Sequence, residues 1–216
     1  MNKDWYNKIC AEVITSDCYR FKSWNPENDS PCIVDIGANV GAFTKMACTR
    51  FPNASIFSFE MMENNYNYAK SLLEEFKNVH LFNYAVVGSN KPIGMFEHNS
   101  NHGGHKPIFD DEANSYLNKS RFTAEWKEKE VPYISFDNLI KDNNIEKIDF
   151  LKLDCEGTEY EILFHIDKLN MWDKISHIAM EIHGRDSKEH DELIGILSKH
   201  YNVSKGIITI CSKEAL

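Results

Sequence analysis

Asp154 and Glu156 stand where the run Phe150-Leu151-Lys152-Leu153 gives way to Asp154-Cys155-Glu156-Gly157, and Glu181 and His183 close a second apolar run that starts at Ile175. Carboxylates and an imidazole at such points can orient a hydroxyl or remove its proton. Asp154 is the first candidate for orienting an acceptor. His183 is a candidate general base, because an imidazole titrates near neutrality; the structural alternative is that it caps a strand or bonds a carbonyl. Asp154 and Glu181 can also hold a divalent ion such as Mg²⁺, which often takes just one or two carboxylates with water.

A different chemistry is written in Val34-Asp35-Ile36-Gly37-Ala38-Asn39-Val40-Gly41-Ala42-Phe43. Gly37 and Gly41 let the backbone pass close to a ligand, and a helix starting there offers free N–H groups. The spacing is Gly-x-x-x-Gly, not the Gly-x-Gly-x-x-Gly that cradles a pyrophosphate. Glu60 ends the run Phe57-Ser58-Phe59-Glu60, 19 positions after Gly41. An acid at that distance is placed to accept hydrogen bonds from ribose hydroxyls. Asn83, ending a third run, can meet an adenine edge or simply terminate a strand. A ligand with a ribose and no pyrophosphate fits, and S-adenosylmethionine is one.

The elements that must position these residues follow from periodicity. Residues 1–20 and 41–51 read as helices, as do 62–77, 158–166 and 187–200. Residues 32–36, 55–60, 79–87, 147–153 and 175–182 read as buried strands, and 201–204 with 206–211 as a last antiparallel pair. Residues 131–136 are a further strand candidate, and Asp137 is expected to cap a short helix. Alternating strands and helices mean βαβ units and a mostly parallel sheet. The organisation expected is an N-terminal helical extension over 1–30 and one α/β domain over 31–216. Residues 98–127 are expected to be irregular. Such a long segment is usually functional; as a lid it offers Asn99, Asn101, His102 and His105 to a polyol substrate. Its histidines are a weaker case for a metal site.

Composition narrows the classes. The chain has 216 residues, suited to one sizeable domain. Its 33 Asp+Glu against 24 Lys+Arg give a net charge of −9, which disfavours nucleic acid as a partner. The six cysteines form no Cys-x-x-Cys pair, and are expected to be free thiols in a reducing compartment. The polar N-terminus and the lack of any long apolar run lead to the expectation of a cytoplasmic protein with no membrane span.

The stretch Ile148 to Leu163, with Asp-Cys-Glu-Gly-Thr-Glu at its centre, resembles the hallmark of the FkbM-type methyltransferase family. Asp35 to Phe43 resembles that family's first motif, Ser58 to Glu60 its second, and Ile178 to His183 the strand that follows. The resemblance covers about residues 31–185. It implies a Rossmann-like class I methyltransferase fold: a seven-stranded, mostly parallel sheet with an antiparallel last strand and helices on both faces. It also implies S-adenosylmethionine as cofactor and methyl transfer to oxygen, often on a sugar, a glycan or a related natural product. Asp35, Gly37, Asn39 and Gly41, with Ala38 among them, should line the methionine end of the cofactor. Glu60 should hold the ribose, Met61 should pack on the adenine, and Asp154 should reach cofactor and acceptor. The alternatives are a methyltransferase of nucleic acid or protein, and a non-catalytic module that keeps the fold. Against the first, the place where base methyltransferases usually carry Asn-Pro-Pro-Tyr is Asp154-Cys155-Glu156-Gly157 here.

Overall fold

The computed structural model describes residues 3–97, 104–109, 125–127, 132–185 and 187–213. Its centre is β1 (Cys32–Ile36), where Ile33, Val34, Asp35 and Ile36 are all buried. Successive side chains point to opposite faces of a sheet, so β1 needs cover on both sides. β2 (Ser55–Phe59) and β9 (Phe150–Leu153) flank it in parallel. β3 (Val79–Phe82) and β10 (His177–Glu181) extend the sheet in the same direction. β12 (Ile208–Ser212) runs antiparallel to both β10 and β11 (Asn202–Ser204). The order is β11-β12-β10-β9-β1-β2-β3, with the last strand reversed. This is the class I methyltransferase arrangement.

Helices cover both faces. α2 (Ala42–Arg50) and the N-terminal segment enclose one core with Ile33, Ile56 and Phe150, on which Tyr68 of α3 (Glu63–Leu72) also packs. α4 (Phe136–Asp142), α5 (Glu159–Lys168) and α6 (Lys188–His200) enclose the other with Val34 and Leu151.

Four local expectations change. The N-terminal helix is shorter than 1–20: α1 (Lys3–Cys10) runs into a π-helical turn at Ala11–Thr15. Asp17 and Arg20 then turn left-handed, at φ 50° and 53°, which ends the helix. This lets Tyr19 and Phe21 enter the core. Phe21 meets Phe43 and Phe150 at ring centroid distances of 4.9 and 5.0 Å, while Arg50 donates to the Phe21 and Trp24 carbonyls. Residues 19–24 are thus packed into the domain itself.

The stretch 79–87 is two strands, not one. It breaks at Asn83-Tyr84, and β4 (Ala85–Val87) leaves the main sheet to pair in parallel with β8 (Tyr133–Ser135). Glu161 of α5 fixes the chain beyond β4 by accepting from the backbone amides of Gly88, Ser89 and Asn90. The segment 98–127 is not wholly irregular either. β6 (Lys106–Phe109) and β7 (Glu125–Lys127) lie within it and pair antiparallel with β5 (Pro92–Glu97). Finally, Ser135 is the N-cap of α4; Asp137 lies in its first turn and meets His165 at 3.0 Å.

Candidate active site

A cleft of about 1030 Å³, counting its open mouth, lies beyond the carboxyl ends of β1, β2, β9 and β10. Open α/β sheets bind their ligands there. Gly37 and Asn39 form its wall after β1, Glu60 and Met61 after β2, Asp154 and Glu156 after β9. Glu181 and His183 face them from the end of β10, and Lys8, Ile9 and Glu12 close the cleft from the N-terminal helical segment. His105 reaches it from just before β6. Asn99, Asn101 and His102 lie outside the described residues.

The turn after β1 is built by close packing. Gly37 has φ 79°, and a Cβ there would stand 1.8 Å from the Asp154 main-chain oxygen. Asn39, at φ 51°, takes a left-handed conformation that short polar side chains tolerate. Gly37 and Ala38 both donate their amides to the Phe59 carbonyl. Gly41 lets α2 approach α3, where its Cβ would lie 3.1 Å from Ala69. Asp35, Ala38 and Gly41, expected on the ligand side, are not among the residues that line the cleft; the Ala38 amide is bonded to Phe59, and α3 fills the space beside Gly41. Asn83 is not among them either, with its amide bonded to the Glu60 and Met61 carbonyls at 2.8 and 3.1 Å.

Glu60 is buried and accepts from the Asn39 amide at 2.7 Å and the Met62 amide at 2.8 Å. Burial outweighs those bonds and pushes its carboxyl up to about 7. Two further polar atoms are placed to bond a ligand. Asn39 Oδ1 and Thr158 Oγ1, both of cleft-lining residues, are buried with no hydrogen-bond partner among the described residues. Buried polar groups are normally paired, so a ligand rich in N–H and O–H groups fits here.

Three residues that sequence reasoning passed over organise the acidic end. Lys152, buried in β9, lies 3.2 Å from Asp35 Oδ1 and donates to the Gly37 carbonyl at 2.5 Å. Tyr19 donates its hydroxyl to Asp154 Oδ2 at 2.6 Å. Glu159 accepts from the Cys155 and Gly157 amides at 2.7 and 2.8 Å. Its carboxylate thereby folds the turn in which Glu156 and Gly157 take φ 55° and 107°. A lysine inside an apolar strand was a signal for the first, and the repeated acids of the hallmark for the third. Nothing in the sequence marked Tyr19.

His183 sits among carboxylates: Nδ1 is 3.2 Å from Glu159, and Nε2 is 3.4 Å from Glu156 and 3.9 Å from Glu181. Burial alone would lower its pKa, but Glu159, Glu156 and Asp154 outweigh it and push it up to about 10. These surroundings favour the imidazolium at neutral pH, a donor rather than a base. Burial pushes Glu156 up to about 7 against the pull of His183, so Glu156 titrates where a base should. The candidate cation pair fares less well. Asp154, Glu159 and His183 offer atoms within 4.8 Å of one another, yet Glu181 is not in that group. Glu159 accepts from two backbone amides and His183 faces three carboxylates, so these side chains are already engaged with one another and with the turn.

The chain is similar to known proteins over most of its length. Residues 35–203 match the family model described as methyltransferase FkbM domain. The chain is 25% identical over 199 residues to methyltransferase sdnD of Sordaria araneosa, covering 80% of this chain and 73% of that protein. It is 21% identical over 190 residues to methyltransferase 1 of Beauveria bassiana, covering 81% and 72%. Among solved structures, a precorrin-6y C5,15-methyltransferase from Geobacter metallireducens aligns at TM-score 0.49 and 14% identity, over 94% of this chain and 87% of that one.

Proposed function

Because the chain belongs to the FkbM methyltransferase family, we propose that this S-adenosylmethionine-dependent enzyme methylates a hydroxyl oxygen of a sugar, a glycan or a related natural product. One observation carries the reading: the glycine turn, Glu60 and the carboxylates of Asp154, Glu156 and Glu181 all border one cleft. The cofactor, when bound, supplies an electrophilic methyl group on a sulfonium. Glu60 accepts from the ribose, Met61 packs beside the adenine, and the orphaned Asn39 Oδ1 accepts from a ligand N–H.

At the acidic end, Asp154 reaches the cofactor and orients the acceptor hydroxyl in line with the methyl, and such alignment alone supplies much of the rate. Glu156 would take the hydroxyl proton as the oxygen–carbon bond forms and the methyl–sulfur bond breaks, the sulfur keeping the electron pair as a neutral thioether. The charged His183, which Glu181 also faces, holds the Glu156 carboxylate in place. His105, which lines the cleft from just before β6, contacts the polyol. The six cysteines, all free, support a reducing, cytoplasmic setting. Among the described residues no helix is long and apolar enough to cross a membrane.

The test is a methyl-transfer screen over sugars, nucleotide sugars, glycans and small phenols, with Asp154→Ala as control. A hydroxyl acceptor is expected, with the control at least 100-fold slower; a control as active as the parent removes the site assignment. Calorimetry with S-adenosylmethionine separates an enzyme from a non-catalytic module, since the module predicts no binding at millimolar cofactor.

A further inference from the structure

We infer that Tyr19 is a positioning residue for the cofactor site, acting through Asp154, so that the segment before the family motifs is a working part of the enzyme. The inference rests on the proposed reading of Asp154. The match to the family model begins at Asp35, so this segment lies outside the matched residues.

The geometry leaves Tyr19 little choice of partner. Its side chain is buried, its ring stands edge-on to Phe43 at 5.7 Å, and Lys152 Nζ lies 5.4 Å from the ring centroid. From that seat the hydroxyl donates to Asp154 Oδ2 at 2.6 Å. Burial and the neighbouring Asp154 hold the phenol well above its ordinary pKa, so it remains a donor. The chain on either side is fastened: Asp17 accepts from the Lys22 amide at 3.0 Å, and Arg50 donates to the Phe21 and Trp24 carbonyls.

Asp154 needs such a support. It is the first residue past β9, it borders the cleft, and its main chain abuts Gly37. Without a donor on Oδ2 the carboxylate can rotate away from the ligand. A charge-assisted hydrogen bond is about twice as strong as a neutral one and fixes direction as well. A misplacement of about 1 Å in such a group can cost about 100-fold.

The experiment is calorimetric titration of S-adenosylmethionine and S-adenosylhomocysteine into four full-length proteins: the parent, Tyr19→Phe, Asp154→Asn and the double variant. Phenylalanine keeps the ring contacts, and thermal unfolding of each variant checks that the fold survives. Tyr19→Phe is expected to weaken cofactor binding about tenfold. The double variant is expected to bind no more weakly than Asp154→Asn alone, because coupled residues are non-additive. Parental affinity in Tyr19→Phe, or losses that simply add, would overturn the inference. If Asp154→Asn binds like the parent, Asp154 is not in the cofactor site and the inference falls with it. If the parent binds neither probe, it is the proposed function that fails, and this inference goes with it.

Discussion

Asp35 and Lys152 are register partners across β1 and β9, with Lys152 Nζ 3.2 Å from Asp35 Oδ1 and both side chains almost wholly buried. The pair joins the two halves of the cleft. Asp35 accepts from Thr44 of α2 at 2.7 Å, and Lys152 donates to the Gly37 carbonyl. Although burial works against its charge, Asp35 and Asp154 hold Lys152 above the ordinary lysine value. The glycine turn and the acidic strand end are therefore braced by one buried cation.

Lys152→Met should remove that brace and leave Asp35 buried without a counter-charge. Breaking such a pair on one side typically costs about 3–5 kcal/mol. Urea unfolding at pH 7 is expected to show a loss of that size, and Asp35→Asn combined with Lys152→Met should recover part of it. A single variant within about 1 kcal/mol of the parent would contradict the assignment, being no more than a typical surface change.

Gly37→Ala should be more damaging to binding than its one added carbon suggests. The new Cβ would meet the Asp154 carbonyl at 1.8 Å, and the backbone there has φ 79°. Since the obstacle is main chain, the turn must move away from β9. Overpacking of this kind costs about 1–3 kcal/mol, with strain at positive φ added. Cofactor affinity should fall at least 100-fold while the sheet persists by circular dichroism; unchanged affinity would show that the turn does not shape the site.

The sheet was legible in the sequence because its strands are short apolar runs bounded by glycine and proline, as at Pro31 and Gly37. The glycine turn and Glu60 were legible because backbone permissiveness and spacing are local properties. Tyr19 was not: its partner is 135 positions away, and a tyrosine after a helix carries no sign of where it folds back. The surroundings of His183 were hidden for a related reason. Residue type sets its ordinary pKa, but Glu159, Glu156 and Asp154 raise it, and only the fold brings Glu159 back toward β10. β6 and β7 were hidden because their pairing to β5 crosses a polar segment with no alternating pattern.

His183 makes the stability of the fold depend on pH. Its pKa rises from an ordinary 6.5 to about 10 in the folded protein, so the folded state prefers the protonated form. That contribution is complete below about pH 6.5 and is lost as pH rises through 10. His183→Gln should therefore cost most at pH 6 and progressively less toward pH 10. Denaturant unfolding of both proteins at several pH values measures the difference; a deficit that grows with pH would reverse the sign and refute the cationic imidazole.

Glu60 should make cofactor binding depend on pH in the opposite sense. Its carboxyl is pushed up to about 7 by burial in the ligand-free protein, while the Asn39 and Met62 amides occupy one lone pair on each oxygen. Ribose hydroxyls donating to the remaining lone pairs would favour the ionised form. Below pH 7 binding must first expel a proton, so affinity should fall toward tenfold per pH unit; above about pH 8 it should level off. The ligand's own amino group also titrates near 8, so the parent alone is not decisive. Glu60→Gln carries no such proton, and the same ligand titration applies to it. The difference between the two proteins then isolates Glu60: about 10–100-fold weaker binding by the variant at pH 8, as expected for hydrogen bonds to a charged group, shrinking as pH falls to 6. Calorimetry with S-adenosylhomocysteine at pH 6, 7 and 8 measures it. A difference constant across that range would mean that the ribose does not bond to this carboxylate.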